Sequence, residues 1–446
     1  MMAAVGLEIV DAALVAVRAG ARVAASPGVA IVAPADLKVG EAAAAQQRLQ
    51  PVLAADRFWS DLATDSFAGA AGQAVSHADL AHAHLASVWR AVATPGDEAV
   101  LALPGSMRLH QAGLLLGIAR HVGMPVAGVV DAAVAATAGL AARTEVLHLD
   151  VQLHQAVLTV LDGETVLRRR RVEIAPRAGL KVMFGAWAQL VSEAMVRRTR
   201  FDPLHQASTE QQLYDRLPGW LATLAGRESL DVAVESGGSS FVATVRREQF
   251  TLAAEAWYAQ LAELVRTGLR GGGPATLALS ARAALLPALA ERLGALPGLE
   301  VTVLAETAAA EAAAARAAEI GPAEPPTLVT ALARVHAAAP AMRRAVGTPA
   351  THVVVGGRAH AIDERPLVIG FGEGAGRRIA LGGAAEGISR SHCTLLRDRG
   401  RTLVRDHSRF GTFLNGGRVA GEAEVGAGDR LRVGSPGVVF ELVAAD

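Results

Sequence analysis

The sequence predicts an α/β fold built twice over residues 1–320, then a run of short strands over residues 351–446, with a Pro- and Ala-rich linker at 321–350 between them. Three observations predict this. The first 320 residues repeat one plan, a three-strand meander followed by alternating helices and strands. Beyond residue 351 the apolar segments are short and punctuated by turn residues. In between, Gly321-Pro322, Pro325-Pro326, Pro340 and Pro349 interrupt any regular element, apart from one helical patch at Leu328 to His336. At 446 residues the chain exceeds one typical domain.

In the first half, Val5 to Val10, Leu14 to Arg18 and Val29 to Ala33 read as strands, with turns at Gly20 and Ser26-Pro27-Gly28. Gln46 to Ala93 is helical in tendency, with Trp59, Leu62, Phe67, Leu80 and Trp89 as core positions. Ala99 to Leu103 is a strand. Ser106 caps a helix running to about Val122, with Leu109, Leu115, Leu116 and Ala119 on its apolar side and Gly123 at its end. Strand Val126 to Val130 and helix Ala132 to Leu140 follow.

The second half restarts with strands Val146 to Leu149, Val157 to Leu161 and Glu164 to Ile174, the last two joined at Asp162-Gly163. Helices Leu180 to Arg198 and Gln211 to Leu224 come next, then a hairpin turning at Ser236-Gly237-Gly238 and helix Gln249 to Arg270. Gly271-Gly272-Gly273-Pro274 breaks that helix before strand Thr276 to Leu279, helix Ala283 to Leu293, strand Glu300 to Leu304 and an Ala-rich helix to about Ile320.

The densest chemistry lies near the C-terminus. Ser389, Arg390 and His392 precede strand Cys393 to Leu396 and place a hydroxyl, a guanidinium and an imidazole in one loop, an anion-reading set. Asp406, Ser408, Gly411 and Thr412 follow strand Arg401 to Val404, then Asn415-Gly416 and Gly428-Asp429. This stretch resembles the forkhead-associated (FHA) domain. The resemblance covers about the last fifth of the chain. It implies a β-sandwich whose loops bind phosphothreonine peptides, with Ser389 and Arg390 on the phosphate, His392 fixing the loop, and Ser408, Arg409, Thr412 and Asn415 at the peptide site. Two positions depart from the family pattern. Phe371 stands where the family carries a phosphate-gripping arginine after Gly370, and Phe410 where it carries an asparagine. Arg377, Arg378 and Arg409 lie near the same end and are the candidates to replace that arginine. Bracing of the loops is the alternative role for Ser389, Arg390 and His392.

The duplicated plan of residues 1–320 resembles the actin-like ATPase fold, closest to the seventy-kilodalton heat-shock chaperones at Val100 to Leu140. Its nucleotide chemistry is missing. The family's first phosphate loop is an Asp followed by Gly-Thr, and here that place reads Glu8-Ile9-Val10-Asp11-Ala12-Ala13. The Gly-rich second loop reads Asp150-Val151-Gln152-Leu153-His154-Gln155, and the third place Ser280-Ala281-Arg282-Ala283. Without those glycines, backbone amides cannot close around phosphates. The resemblance therefore implies a pseudo-ATPase, with no cofactor and no metal.

Bulk properties limit the partners. Charge is balanced at 43 basic and 43 acidic residues, which gives no drive toward nucleic acid or an anionic membrane. Cys393 is the only cysteine, which excludes an intramolecular disulfide and fits a reducing, cytoplasmic setting. Val122 to Ala142 contains Asp131 and Pro125 and does not read as a membrane span. His77 and His84 share a helix side but stand roughly 10 Å apart, too far to share an ion. Arg168 to Arg171 alternates faces on a strand and reads as a solvated or edge strand rather than a nucleic-acid patch. Arg200-Phe201-Asp202-Pro203 is a helix stop in which an exposed Phe201 would anchor a partner.

These features point to a non-enzymatic adaptor: an FHA-type module that docks a protein partner, phosphothreonine-dependent or not, on a degenerate actin-like scaffold. Two other classes remain in view. One is a divergent ATP-binding chaperone with Asp11 and Asp150 as metal-side carboxylates, and the other a self-assembling scaffold.

Overall fold

The computed structural model describes residues 4–34, 36–68, 74–140, 145–269, 274–321, 327–334, 349–355, 358–371, 376–381, 388–408, 411–414, 417–419, 421–433 and 438–444. The chain divides into two compact units, Met1–Val335 and His336–Asp446.

The first unit is α/β and holds two large sheets. One contains β1 (Ala4–Ile9), β2 (Ala13–Arg18), β3 (Ala21–Pro27), β4 (Glu98–Leu103) and β5 (Val126–Asp131) in the order β5-β4-β1-β2-β3. The other contains β6 (Val146–Val151), β7 (Gln155–Asp162), β8 (Val166–Pro176), β9 (Ala275–Leu279) and β10 (Leu299–Val303) in the order β10-β9-β6-β7-β8. Strand senses agree as well. In each sheet the meander is antiparallel, while the first, fourth and fifth of these strands run parallel.

Both leading strands are buried along almost their whole length, as strands covered on two faces are. Helices α1 (Ala132–Thr137) and α2 (Ala308–Ala315) pack on each other, and α2 also lies on β1. Their alanines allow this close approach. A Cβ on Gly6 would fall 1.8 Å from the Ala310 carbonyl oxygen, so β1 needs glycine where α2 crosses it. A core shared by α1, α2 and both sheets includes Val100, Val130, Val146, Leu161 and Ala313.

Several expected elements differ. The third strand of the first meander is Ala21–Pro27, not Val29 to Ala33; Ala30–Ala33 belongs to a separate small sheet. Within Gln46 to Ala93 the long helix is His77–Val92, started by Ser76 and Asp79 bonded to each other's backbone N–H, and short strands and turns precede it. Trp59, Leu62, Leu80 and Trp89 are buried as expected, and the side chain of Phe67 lies outside the described residues. The next helix, Leu109–Val122, begins after Arg108 rather than Ser106, and Leu109 is 79% exposed, so it is not on the packed side. Leu328 to His336 is not helical where described: Leu328–Val329 pairs with β5 and Ala331–Ala333 with β8, so one segment edges both sheets. The Gly271–Gly273 breaker lies outside the described residues.

The second unit is all-β. Its strands are β11 (His352–Val355), β12 (Arg358–Ala361), β13 (Leu367–Phe371), β14 (Arg378–Leu381), β15 (Cys393–Asp398), β16 (Arg401–Asp406), β17 (Thr412–Leu414), β18 (Gly417–Arg418), β19 (Glu422–Val425), β20 (Arg430–Val433) and β21 (Val438–Val443). They form sheets ordered β12-β11-β21-β20-β17-β18 and β14-β13-β15-β16-β19. Side chains from both sheets, among them Val353, Leu431, Phe440, Ile369, Leu395 and Val404, share one core, which makes the unit a sandwich.

Candidate functional site

Two places gather polar side chains. In the first unit, β1 and β6 each carry a carboxylate at their fifth residue, Glu8 and Asp150, and both side chains are buried. Arg282 answers both. It sits in the short helix Ala281–Ala284, whose Ala283 N–H donates to Ser280 Oγ at 3.2 Å. Arg282 Nη2 donates to Glu8 Oε1 at 2.7 Å and Nε to Asp150 Oδ1 at 3.0 Å. One cation thus serves two carboxylates. Burial raises the Glu8 pKa above its ordinary value and outweighs the attraction of Arg282. Burial acts the same way on Asp150, but there Arg282 wins and the pKa falls. Around the triad a cavity of about 30 Å³ remains, lined also by Ala132, His148 and Ala309. That is room for a water or two.

The segments that carry Glu8 and Asp150 also bond to each other directly. Asp11 accepts from Leu153 N–H at 2.7 Å and His154 N–H at 3.2 Å, so its carboxylate occupies amides of the second loop. Asp11 and Asp150 therefore have separate protein partners.

In the sandwich, the Ser389–His392 turn leads into β15. His392 is fully buried and joins two loops: its Nδ1 accepts from Ser389 N–H at 3.0 Å, which leaves Nε2–H to donate to Gly411 O, also at 3.0 Å. The second loop is braced internally. Asp406 Oδ1 accepts from Thr412 Oγ1 at 2.7 Å and Ser408 N–H at 3.1 Å, while Ser408 Oγ accepts from Gly411 N–H at 2.7 Å. Burial pushes the Asp406 pKa up, and the bonds from Ser408 and Thr412 more than reverse it.

The turn is also pressed onto β13. Phe371 N–H donates to Ser389 O at 3.0 Å and His392 N–H to Ile369 O at 2.8 Å. A Cβ on Gly370 would lie 2.2 Å from Arg390 O, so only glycine permits this contact. Arg390 is exposed, whereas the Thr412 side chain is fully buried with its hydroxyl bonded to Asp406. Of the three candidate replacement arginines, Arg377 pairs with Asp363 and Arg378 donates to Arg390 O at 2.6 Å. Arg409, Phe410 and Asn415 lie outside the described residues.

The other singled-out residues are accounted for in the first unit. His84 meets Ser26 and Trp59, His77 bonds Asp61 O, and His82 meets His121 edge to face. Arg169 pairs with Asp131 at 2.8 Å, Arg170 with Asp162 and Arg171 with Glu173. Phe201 is not a free anchor: it stacks on Phe241 with ring centroids 4.0 Å apart. What sequence reasoning missed is the role of Arg282. The available signal was an acid at the same place in two otherwise apolar leading strands, since buried carboxylates require a cation.

Residues 369–434 match the FHA domain family model. No curated protein matches the chain. The match spans the Ser389–His392 turn, the Asp406–Thr412 loop and the strands that carry them. FHA domains are non-enzymatic interaction modules that bind phosphothreonine-containing partners, so this part of the chain is a phosphopeptide-binding type of module. No helix among the described residues is long and apolar enough to cross a membrane.

Proposed function

We propose that the chain is an adaptor that reads phosphothreonine on a protein partner through Ser389 and Arg390, and carries this module on a degenerate actin-like scaffold. The observation behind it is the Ser389–Arg390 turn inside the FHA match, held by buried His392 against Gly411 and pressed onto Gly370. A hydroxyl and an exposed guanidinium on a rigid turn suit a phosphate dianion. Ser408 and Thr412 act from beneath, by fixing the loop that borders the peptide. The test titrates the full chain with a degenerate phosphothreonine peptide library and its unphosphorylated twin. Preference for the phosphorylated library, lost in Ser389→Ala with Arg390→Ala, is the expected result. Equal affinity for the two libraries would refute the reading.

The scaffold reading draws on the two sheets of equal order and sense, with α1 and α2 packed between them. Its degenerate character draws on Arg282 filling the place between Glu8 and Asp150, and on Asp11 occupying amides of the second loop. Millimolar Mg-ATP is expected to leave the melting temperature unchanged. A ligand-dependent rise would favour the divergent ATPase instead.

A further inference from the structure

At the end of β13, where FHA domains resembling this one carry an arginine, stands Phe371, 44% exposed. The adjacent strand supplies a cation. β14 runs parallel to β13 with Arg378 opposite Val368. Its guanidinium reaches the turn: Nη1 donates to Arg390 O at 2.6 Å and Nη2 to Ser391 Oγ at 3.2 Å. Its Nε is buried and has no hydrogen-bond partner among the described residues. Neighbouring arginines pair with acids, Arg365 and Arg377 sharing Asp363 and Arg405 meeting Glu422. Neither Arg378 nor Arg390 meets a carboxylate among the described residues.

We propose that Arg378 supplies the second cation of the phosphothreonine site, in place of the arginine absent at position 371. This rests on the phosphopeptide reading above and adds the residue that sets phosphate selectivity. Two arginines meeting at one turn, with no carboxylate partner among the described residues, suit a phosphate of charge near −2. The bond from Arg378 to Arg390 O fixes that peptide plane and holds the Arg378 guanidinium at the turn, where a planar fork can meet phosphate oxygens. Arg377, one residue away, points to Asp363 and serves as the internal control.

The experiment measures full-chain binding to the phosphothreonine library and to its unphosphorylated twin. It compares wild type with Arg378→Ala, Arg378→Lys, Arg377→Ala and the pair Phe371→Arg with Arg378→Ala. Arg378→Ala is expected to lose about 10- to 100-fold of the phosphate preference, the range for a charged hydrogen bond, with binding to the twin unchanged. Arg377→Ala keeps the preference, and the paired variant regains at least about tenfold. Retention of the preference in Arg378→Ala overturns this inference and leaves the phosphopeptide reading standing. Loss without rescue by Phe371→Arg also overturns it, because Arg378 is then a brace for the turn. Absence of any preference in wild type overturns both. Should Arg378→Ala fail to fold, Arg378→Gln replaces it, and undiminished preference in that charge-free variant refutes the assignment; Arg378→Lys, which keeps the charge, should retain more of the preference than Arg378→Gln, and equal loss in both also refutes it.

Discussion

Replacing Arg282 by methionine removes one charge from the joint between the two sheets while roughly keeping the length of the side chain. Glu8 and Asp150 then remain buried with no cation between them. Breaking a buried ion pair from one side costs about 3–5 kcal/mol, because the stranded charge keeps its desolvation penalty. At roughly 2–4 °C per kcal/mol for large domains, the first unit should melt about 6–20 °C lower near pH 7. The sign of the pH dependence follows. Without Arg282 both carboxyls bind their protons more tightly when folded than unfolded, so stability falls as pH rises above the ordinary carboxyl range and returns on acidification. Melting curves of Arg282→Met from pH 5 to pH 8 test this, beside the charge-free variant Glu8→Gln, Asp150→Asn, Arg282→Met. That triple variant should melt close to wild type, since replacing a whole buried ionic group is often neutral. A single Arg282→Met melting within about 1 °C of wild type would refute the reasoning, because the lost pair would then weigh less than about 0.5 kcal/mol.

Two further outcomes follow from single residues. His84 is fully buried, its pKa pushed down to about 4 by burial, and its Nδ1 accepts from Trp59 Nε1–H. Such a group holds stability above its unfolded value near 6.5 and loses it as pH falls toward 4, on the order of 3 kcal/mol over that window. Thermal melts from pH 7 to pH 4.5 should therefore slope downward more steeply in wild type than in His84→Asn, and equal slopes would exclude the mechanism. Gly370→Ala places a methyl 2.2 Å from Arg390 O, so the turn must shift. It should cost about 1–3 kcal/mol by overpacking and at least tenfold in phosphopeptide preference, read by melting and titration; an unchanged titration would show that the turn does not set the preference.

The parts of the fold that were legible in the sequence are those decided locally. β6 to β8 and the Ser229–Ser236 hairpin arm are apolar or alternating runs cut by Asp162-Gly163 and Gly237-Gly238, and strand register there follows from the turn. The FHA loop is legible because its bonds close within a few residues, as Asp406, Ser408 and Thr412 show. β3 was not legible: Ala21–Pro27 is small, partly exposed and without alternation, and it forms because β2 offers an edge. Leu328–Val329 and Ala331–Ala333 have apolar residues at helical spacing, but β5 and β8 recruit them as strands. Ala- and Gln-containing residues 46–68 carry helix propensity that tertiary pairing overrides. Arg282 lies 274 residues from Glu8 and 132 from Asp150, separations that no local pattern spans.

The triad also ties the two sheets of the first unit to each other. Two leading strands built on one plan bring two acids to one place, and their like charges oppose closure unless a cation arrives. Here it is covalently part of the chain, on a helix capped by Ser280, and it is shared asymmetrically. Arg282 bonds both acids through different nitrogens, so separating the sheets leaves at least one carboxylate without its partner. The penalty of about 3–5 kcal/mol for that stranded charge falls on any opening motion. The two sheets are therefore held to each other by a charge that belongs to the chain itself.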